Sequence, residues 1–432
     1  MLSFKWEWIS ADGVSSEELA ATFARLQIDV GDDCITLVED RQTRSSRRAV
    51  TVSLYPLAEW VVFNWWFLRA GRANQMSKSP DARYSVRASG DGFIWPNLKF
   101  FPEGSETRLM WQRDKYFGEF STLRYLAHGD ARIYSTGLEF VLTNFVSNVV
   151  ERLDEMSVKD TALQTEWSAL RSLDEEEREF CIASARLGLD PFTEGLQIEN
   201  AIIEASTRLP PGLLASFYDA ANPDNIGPAI AWVEDSLSES QHQRDMSSSI
   251  LATRHRVLLS TPTSRREPWR IGWEQAAIVR DSLKFGIHDP FDVGAIVKPL
   301  THISPDVGLR AAGLGGASPS NIVVIGKNYP ERALRFTLAR ALWHLLAADS
   351  SSYLVTSAHT EAQRIERAFA AELLAPAAGI AESIGALETV EDEDLESIAD
   401  AYGVDTTVVQ HQLRNQILAP LGSPAVSVGR LS

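Results

Sequence analysis

The spacing of apolar residues changes near residue 137, and this change constrains the fold more than any other feature of the chain. Before it, segments 33–40, 47–56 and 93–101 have the short, largely alternating apolar pattern of strands, with turn-forming residues between them. After it, segment 137–156 and those that follow to about residue 240 repeat apolar residues at helical spacing. The pattern predicts an α+β multidomain protein with a mixed α/β N-terminal domain and a helical middle.

The length of the chain indicates more than one domain. At 432 residues it is too long for one compact core and suits two or three domains. A Ser-rich segment at 237–249 and a proline-containing segment at 260–270 indicate a boundary. We expect a Trp-rich mixed α/β domain of unknown function at 1–140, a helical region at 141–265 and a third domain at 266–432.

Two tryptophans of the N-terminal domain are candidates for contact with a partner. Segment 57–70 predicts a helix in which Trp60, Phe63 and Phe67 share one side and suit a core. Trp65 and Trp66 point to other faces of that helix. We therefore expect at least one of their rings to be exposed or to lie at an interface with a protein partner.

Two other N-terminal segments give local predictions that the structure can test. The apolar residues of EELAATFARLQI recur at helical spacing, which predicts a helix over 17–28. The alternation in RYSVRAS predicts a strand over 83–89.

Charge and cysteine content restrict the class of protein. The formal net charge of -17 argues against broad, non-specific nucleic-acid binding, which needs a positive field, although a local basic patch remains compatible with it. Cys34 and Cys181 are too few and too far apart for a disulfide framework, which fits a reducing compartment. No signal peptide and no membrane-spanning stretch is evident. We expect a cytoplasmic protein.

Four features of the last third of the chain occur together and in order. They are NIVVIGK within the strand-like segment 320–327, RFTLARALWHLLA at 335–347, FAAELLAP at 369–376, and AYGVDTTVVQHQL within a helix-turn-helix-like segment at 394–417. RFTLA followed about thirty residues later by FAAELLAP resembles the ImmA/IrrE family of metallopeptidases. The resemblance covers roughly residues 270 to 420 and implies a minimal zincin-like fold for the C-terminal domain.

The motif that carries the family's chemistry is altered in this chain. In the family, two histidines of H-E-x-x-H lie on one helix face and bind zinc, and the glutamate activates the metal-bound water. The resemblance places Arg340 and His344 at the histidine positions, Ala341 at the glutamate position and Trp343 where glycine is frequent. Arginine stays protonated and has no lone pair to give, so it repels a cation instead of binding it.

The third zinc ligand of the family is an acid shortly before the FAAELL element. Glu361 and Glu366 both lie there, and the sequence leaves the register between them open. We expect Arg340 to occupy the metal position and pair with one of these acids. We expect no cofactor, catalytic residue or metal ligand; if the altered site does bind zinc, its ligands are His344, Glu361 and Glu366, with His359 and Asp349 as further candidates.

These observations give a functional expectation and two alternatives. The first is a catalytically inactive metallopeptidase-like regulator that binds a protein partner through Trp343, Arg340, Trp65 and Trp66. The resemblance implies that the partner is a helix-turn-helix repressor or a stress, mobile-element or phage-defence component. One alternative is an active zinc endopeptidase with non-standard ligands that cleaves a repressor.

The other alternative is a DNA-binding transcriptional regulator that uses the helix-turn-helix-like end. Its second helix carries polar residues such as Gln410, Gln412 and Arg414 but little positive charge. The sequence therefore argues against direct binding of nucleic acid by this segment.

Overall fold

Several small sheets and many helices make up the chain, which is mixed α/β. The architecture comes from a computed structural model that describes residues 1–11, 13–14, 16–72, 82–117, 121–192, 196–241, 247–260, 267–316, 319–348, 350–385 and 390–418. The chain divides into two units, Met1–Leu196 and Gln197–Ser432.

The strands of the first unit form three small antiparallel sheets. The first has the order β1-β2-β3 with β6 also paired to β2, the second β10-β8-β7 and the third β5-β4-β9. In chain order the strands are β1 (Leu2–Trp8), β2 (Phe23–Val30), β3 (Asp33–Cys34), β4 (Val38–Asp40), β5 (Ser45–Arg47), β6 (Val50–Ser53), β7 (Asn97–Glu103), β8 (Glu106–Gln112), β9 (Leu123–Tyr125) and β10 (Gly129–Tyr134).

The helices of the first unit are α1 (Glu17–Ala21), α2 (Tyr55–Phe63), α3 (Trp65–Ala70), α4 (Ser135–Glu155), α5 (Ala162–Ser172) and α6 (Glu175–Arg186). They pack on these sheets, through α3 and α4, and on one another. Helices α5 and α6 begin at capping boxes built on Thr161 and Asp174, which satisfy free N–H groups of the first turn. Leu142, Phe145 and Val149 of α4 are buried in the same core as the strands.

The second unit has one four-stranded sheet with the order β11-β13-β12-β14. Its strands are β11 (Lys298–Thr301), β12 (Leu309–Leu314), β13 (Ile322–Ile325) and β14 (Ser352–Thr356). Strand β11 is parallel to β13, and the other pairs are antiparallel. The pairing of β12 with β14 shifts register between Leu309 and Ala311, so Arg310 lies at a β-bulge.

Helices surround this sheet. They are α7 (Leu196–Arg208), α8 (Pro211–Tyr218), α9 (Ile226–Ser240), α10 (Ser248–Leu259), α11 (Pro268–Ser282), α12 (Glu331–Ala347), α13 (Glu361–Leu374), α14 (Ala377–Gly385), α15 (Asp392–Tyr402) and α16 (Thr406–Gln412), with a π-helical turn at Leu413–Leu418. Helix α9 packs on β12 and β13, and α8 packs on β14.

The helical middle of the chain is shared between the two units. Helices α4 to α6 complete the core of the first unit, whereas α8 to α10 pack on strands and helices of the second. The boundary between the two units therefore lies near residue 196. It differs from the expected division into 1–140, 141–265 and 266–432.

Two local predictions are wrong. Segment 17–28 is helical only over Glu17–Ala21, and its remainder begins β2, which pairs with β1 on one side and β6 on the other. Segment 83–89 forms two short 3-10 turns instead of a strand, and only Ser85 makes a bridge, to Lys99. Pairing with β1 and β6 makes the end of segment 17–28 a strand despite its helical spacing. Segment 83–89 makes only one bridge, and alternation alone does not form a strand there.

Among the described residues, no single helix has the length and apolar character needed to cross a membrane. Helices α13 and α14, which are bent by 47° relative to each other, satisfy that test only as a pair.

Candidate functional site

Helix α12 presents the altered motif to the interior of the second unit. Arg340 and His344 are one turn apart and therefore share a helix face. Their exposed fractions are 1% and 8%. The helix is buried on nearly every side from Thr337 to Leu346, so a charge on this face needs a partner inside the protein.

Glu366 of α13 is that partner, and it holds both residues at once. Arg340 donates from Nε to Oε1 of Glu366 at 2.9 Å, and its Nη2 also contacts Oε1. Nε2 of His344 lies 2.6 Å from Oε2 of the same carboxylate. Arg340 further donates from Nη2 to the backbone oxygen of Thr356 at 2.6 Å, at the end of β14.

The electrostatics of this cluster favour a charged carboxylate. Burial acts to raise the pKa of Glu366, which is fully enclosed, but the positive charge of Arg340 and the hydrogen bonds from His344 and Arg340 outweigh burial. The pKa of Glu366 is therefore lowered. A hydrogen-bonded, oppositely charged partner stabilises the ionised form in this way.

Aromatic rings fix the position of His344. The ring of Tyr353 on β14 is stacked on the imidazole with centroids 4.7 Å apart and planes 1° from parallel. Trp343 meets the imidazole edge-on at 4.7 Å and donates from its Nε1 to Oε1 of Gln275 at 2.8 Å. The Tyr353 hydroxyl has no hydrogen-bond partner among the described residues, and burial raises its pKa.

The donor set at this cluster does not fit zinc. Position 340 offers only N–H donors, and both oxygens of Glu366 are engaged by Arg340 and His344. A catalytic zinc site takes three protein ligands, and one histidine with one shared carboxylate falls short of that number. Within the described ranges, no group of three His, Cys, Asp or Glu side chains is placed to hold a metal ion.

Two of the other candidate ligands lie at the start of α13 and just before it, and one lies outside the described residues. Glu361 is the first residue of α13, five positions before Glu366. His359 is exposed, and its Nδ1 lies 3.2 Å from the backbone oxygen of Ser357. Asp349 lies outside the described residues. Of the two candidate acids, Glu366 is therefore the one that contacts both Arg340 and His344.

The segment FAAELLAP is the packing surface of α13. Phe369, Ala370, Leu373 and Leu374 are all fully buried, and they pack in one core with α11 and α12. Gly272 of α11 allows this approach, because a Cβ there would come within 2.4 Å of the backbone oxygen of Ile365. The segment therefore positions Glu366 by holding α13 close to its neighbours.

The helix-turn-helix-like end is tied into the same unit. Gly403 ends α15 with φ of 64°, and Arg335 of α12 donates to its backbone oxygen at 3.0 Å. Gln412 and Gln416 each donate to Oε2 of Glu372 at 2.7 Å. Gln412 is buried, so this part of the expected recognition helix faces the protein interior.

All four residues expected to contact a partner are buried. Trp343 and Arg340 lie in the interior of the second unit. Trp65 and Trp66 are 8% and 4% exposed, so neither ring is exposed, and the other expected placement, an interface with a partner, stays a prediction. Both are packed because α3 lies against α4 and α6, a placement that helical spacing alone does not reveal.

Trp65 and Trp66 nevertheless line a concavity of about 380 Å³ in the first unit. Trp167 also lines it and meets Trp65 edge-on with centroids 5.4 Å apart. Both positively and negatively charged side chains line it, namely Arg69, Arg171, Arg178, Glu139, Glu175 and Glu179.

Two arginines near the altered motif were not identified from the sequence. Arg367 of α13 donates from Nη2 to the backbone oxygen of Ala358 at 2.6 Å and to that of Ser357 at 3.3 Å. Arg310 is half-buried at the bulge of β12. The available signal was a single arginine within the otherwise apolar strand LRAAGL, which is an unusual position for a charge.

Comparison with known proteins does not assign the chain to a family. No protein-family model matches it, and no curated protein matches it at a significant level.

Proposed function

We propose that this chain is a catalytically inactive, metallopeptidase-like cytoplasmic regulator that acts by binding a protein partner. By resemblance to the ImmA/IrrE family, the partner is a helix-turn-helix repressor or a component of a stress, mobile-element or phage-defence system. One observation carries the proposal. The positions of the expected zinc ligands converge in space, but Arg340, His344 and Glu366 form an ion-pair cluster there.

The order of elements in the second unit supports a minimal zincin-like arrangement. A helix (α11) precedes the sheet, the motif helix α12 follows β13, and α13 brings an acid to the motif face. The FAAELLAP segment packs α13 against α11 and α12. This order is the one that the family resemblance implies.

The chemistry of the cluster favours loss of catalysis. Ala341 stands where the family has its general base, and losing a general base lowers the rate by about 10²- to 10⁴-fold. The Arg340 charge would also repel a divalent cation at this point. A binding function needs neither the metal nor the base.

Metal content tests the proposal directly. We expect the wild-type protein, purified without chelator, to carry no stoichiometric zinc. The double variant Arg340→His, Ala341→Glu rebuilds H-E-x-x-H beside Glu366, so we expect it to bind about one zinc ion per chain. Adding His344→Ala to the double variant is the matched control and should remove that zinc.

Two results would contradict the proposal. Stoichiometric zinc in the wild type that disappears in His344→Ala would indicate an active site with non-standard ligands. A folded double variant that binds no zinc would indicate that these positions lack the zincin-like geometry.

The binding function is tested with purified helix-turn-helix repressors as candidate partners. We expect a stable complex from which the partner is recovered intact, with no change when a chelator is added. Chelator-sensitive cleavage of the partner would show that the chain is a peptidase.

A further inference from the structure

Arg310 is a charged residue within an otherwise apolar strand. It lies in β12, between β13 and β14, and is half-buried at the bulge opposite Thr356. Within the part of the chain that the structure describes, its guanidinium makes no ion pair and no hydrogen bond. Partly buried charges are normally paired, because removing them from water is costly.

Two more guanidinium groups lie beside it. Arg340 and Arg367 are both anchored on the end of β14, through the backbone oxygens of Thr356 and of Ser357 and Ala358. Burial lowers the pKa of Arg310, and the neighbouring charge of Arg340 lowers it further. Burial and the charges of Arg340 and Arg310 likewise lower the pKa of Arg367, to about 10, so Arg367 stays protonated at neutral pH.

One carboxylate, that of Glu366, acts on all three guanidinium groups. Glu366 is fully enclosed, and its two oxygens already accept from Arg340 and His344. Three guanidinium groups thus share one carboxylate. Arg310 and Arg367 are half-buried residues, whereas Arg340 is fully buried.

The surroundings of Arg310 add further positive character. The half-buried phenol of Tyr329 is close enough for the charges of Arg310 and Arg340 to act on its ionisation. The exposed Lys327 places its Nζ 6.0 Å from the centroid of the Tyr329 ring. This group of Arg310, Arg367, Lys327 and Tyr329, here called the arginine site, is positive in a chain whose formal net charge is -17.

We propose that the arginine site binds an oxyanion, a carboxylate or phosphate group, between the guanidinium groups of Arg310 and Arg367. Guanidinium groups bind such anions through paired, charge-assisted hydrogen bonds. An anion here compensates the charge that Glu366 leaves unbalanced, and the Lys327 ammonium strengthens its attraction from solution. The anion has two sources, a free phosphate or an acidic side chain of a bound polypeptide.

This inference goes beyond the proposed function, because the anion site does not depend on the loss of zinc chemistry. The zinc measurement tests positions 340, 341 and 344, whereas anion binding tests Arg310. Either proposal can therefore fail without the other.

The test uses the full-length chain at low ionic strength and near-neutral pH. Binding of inorganic phosphate and of a tetraglutamate peptide is measured by calorimetry for the wild type, Arg310→Gln and Lys298→Gln. Lys298 is exposed on β11, so Lys298→Gln is a control for the same loss of one positive charge elsewhere on the unit. Arg310→Met, which keeps the apolar stem of the side chain, replaces Arg310→Gln if that variant does not fold.

We expect the wild type to bind at least one probe and Arg310→Gln to bind it at least about tenfold more weakly, while Lys298→Gln matches the wild type. Binding should also weaken as salt is added. Phosphate binding identifies a free anion as the source, and binding of the peptide alone identifies acidic side chains. If neither probe binds, or if the Arg310 and Lys298 variants behave alike, the proposal is overturned.

Discussion

At the residue scale, a single carboxylate decides whether the motif face of α12 can be buried. Glu366 neutralises Arg340 and accepts a hydrogen bond from His344 in the interior of the second unit. A buried ion pair adds little stability compared with well-packed apolar residues. Removing one member is nevertheless destabilising, because it leaves a buried charge without a partner. The stability of the site therefore depends on the pair and not on either residue alone.

The substitution Glu366→Gln tests this dependence. We expect it to lower the free energy of unfolding by about 3–5 kcal/mol at neutral pH, because Arg340 then keeps its charge without a carboxylate. Chemical denaturation measures the change. The double variant Arg340→Met, Glu366→Leu is the control, and its free energy of unfolding should be close to that of the wild type. If the double variant is destabilised as much as Glu366→Gln, the shape of the side chains matters more than their charge.

The same carboxylate predicts a dependence on pH. Because the pKa of Glu366 is lowered on folding, the unfolded chain takes up the proton first as pH falls below the ordinary value of 4.5. The stabilisation from this group is complete above that pH and is lost as pH falls through the lowered pKa of the folded state. The stability difference between wild type and Glu366→Gln should therefore shrink in acid; a constant difference would contradict the assignment.

At the element scale, the close approach of α11 and α13 holds Glu366 against the motif helix. The approach requires Gly272, where a Cβ would overlap the backbone of Ile365 and Phe369. Helix propensity alone favours alanine over glycine by about 1 kcal/mol inside a helix. Packing and propensity thus predict opposite effects at this position.

The substitution Gly272→Ala shows which effect is larger. We expect the variant to be less stable by about 1–3 kcal/mol, because the backbone of α13 has to move. Gly227→Ala in α9 is the matched control, since a Cβ there meets no atom within 4 Å, and it should be neutral or slightly stabilising. Thermal unfolding measures both variants. Equal changes in stability for Gly272→Ala and Gly227→Ala would show that α13 can move away from α11 without a loss of stability.

At the scale of the whole molecule, each unit has a hydrophobic core of its own. One core runs from Leu2 to Ala185 and the other from Ile250 to Val409 along the chain. Helix α4 belongs to the first core, to which it contributes Phe145 and Val149. The limit of the first unit therefore lies well beyond residue 140.

Two fragments test this limit. We expect residues 1–196 to fold as a mixed α/β unit that unfolds cooperatively, because the fragment retains its whole core. Residues 1–140 lack most of α4, and we expect this fragment to be unfolded or aggregated. Circular dichroism and denaturation compare them; a folded 1–140 fragment would instead support the division that the sequence favoured.

The sequence alone determined which elements carry the candidate site. The helix at 335–347 and the FAAELLAP helix follow from apolar spacing, whereas the positions Arg340, Ala341 and His344 were singled out by the family resemblance. Helical periodicity is a local property, and the inability of arginine to bind a cation is a property of the side chain itself. Neither depends on the rest of the molecule.

Only the tertiary structure decided which residues meet. It selected Glu366 over Glu361, buried both Trp65 and Trp66, turned the end of segment 17–28 into a strand and placed Arg310 beside the altered motif. Each of these outcomes depends on a partner that is distant in sequence. Local patterns show which faces of an element are apolar, but the packing of other elements on those faces decides which charges are buried together.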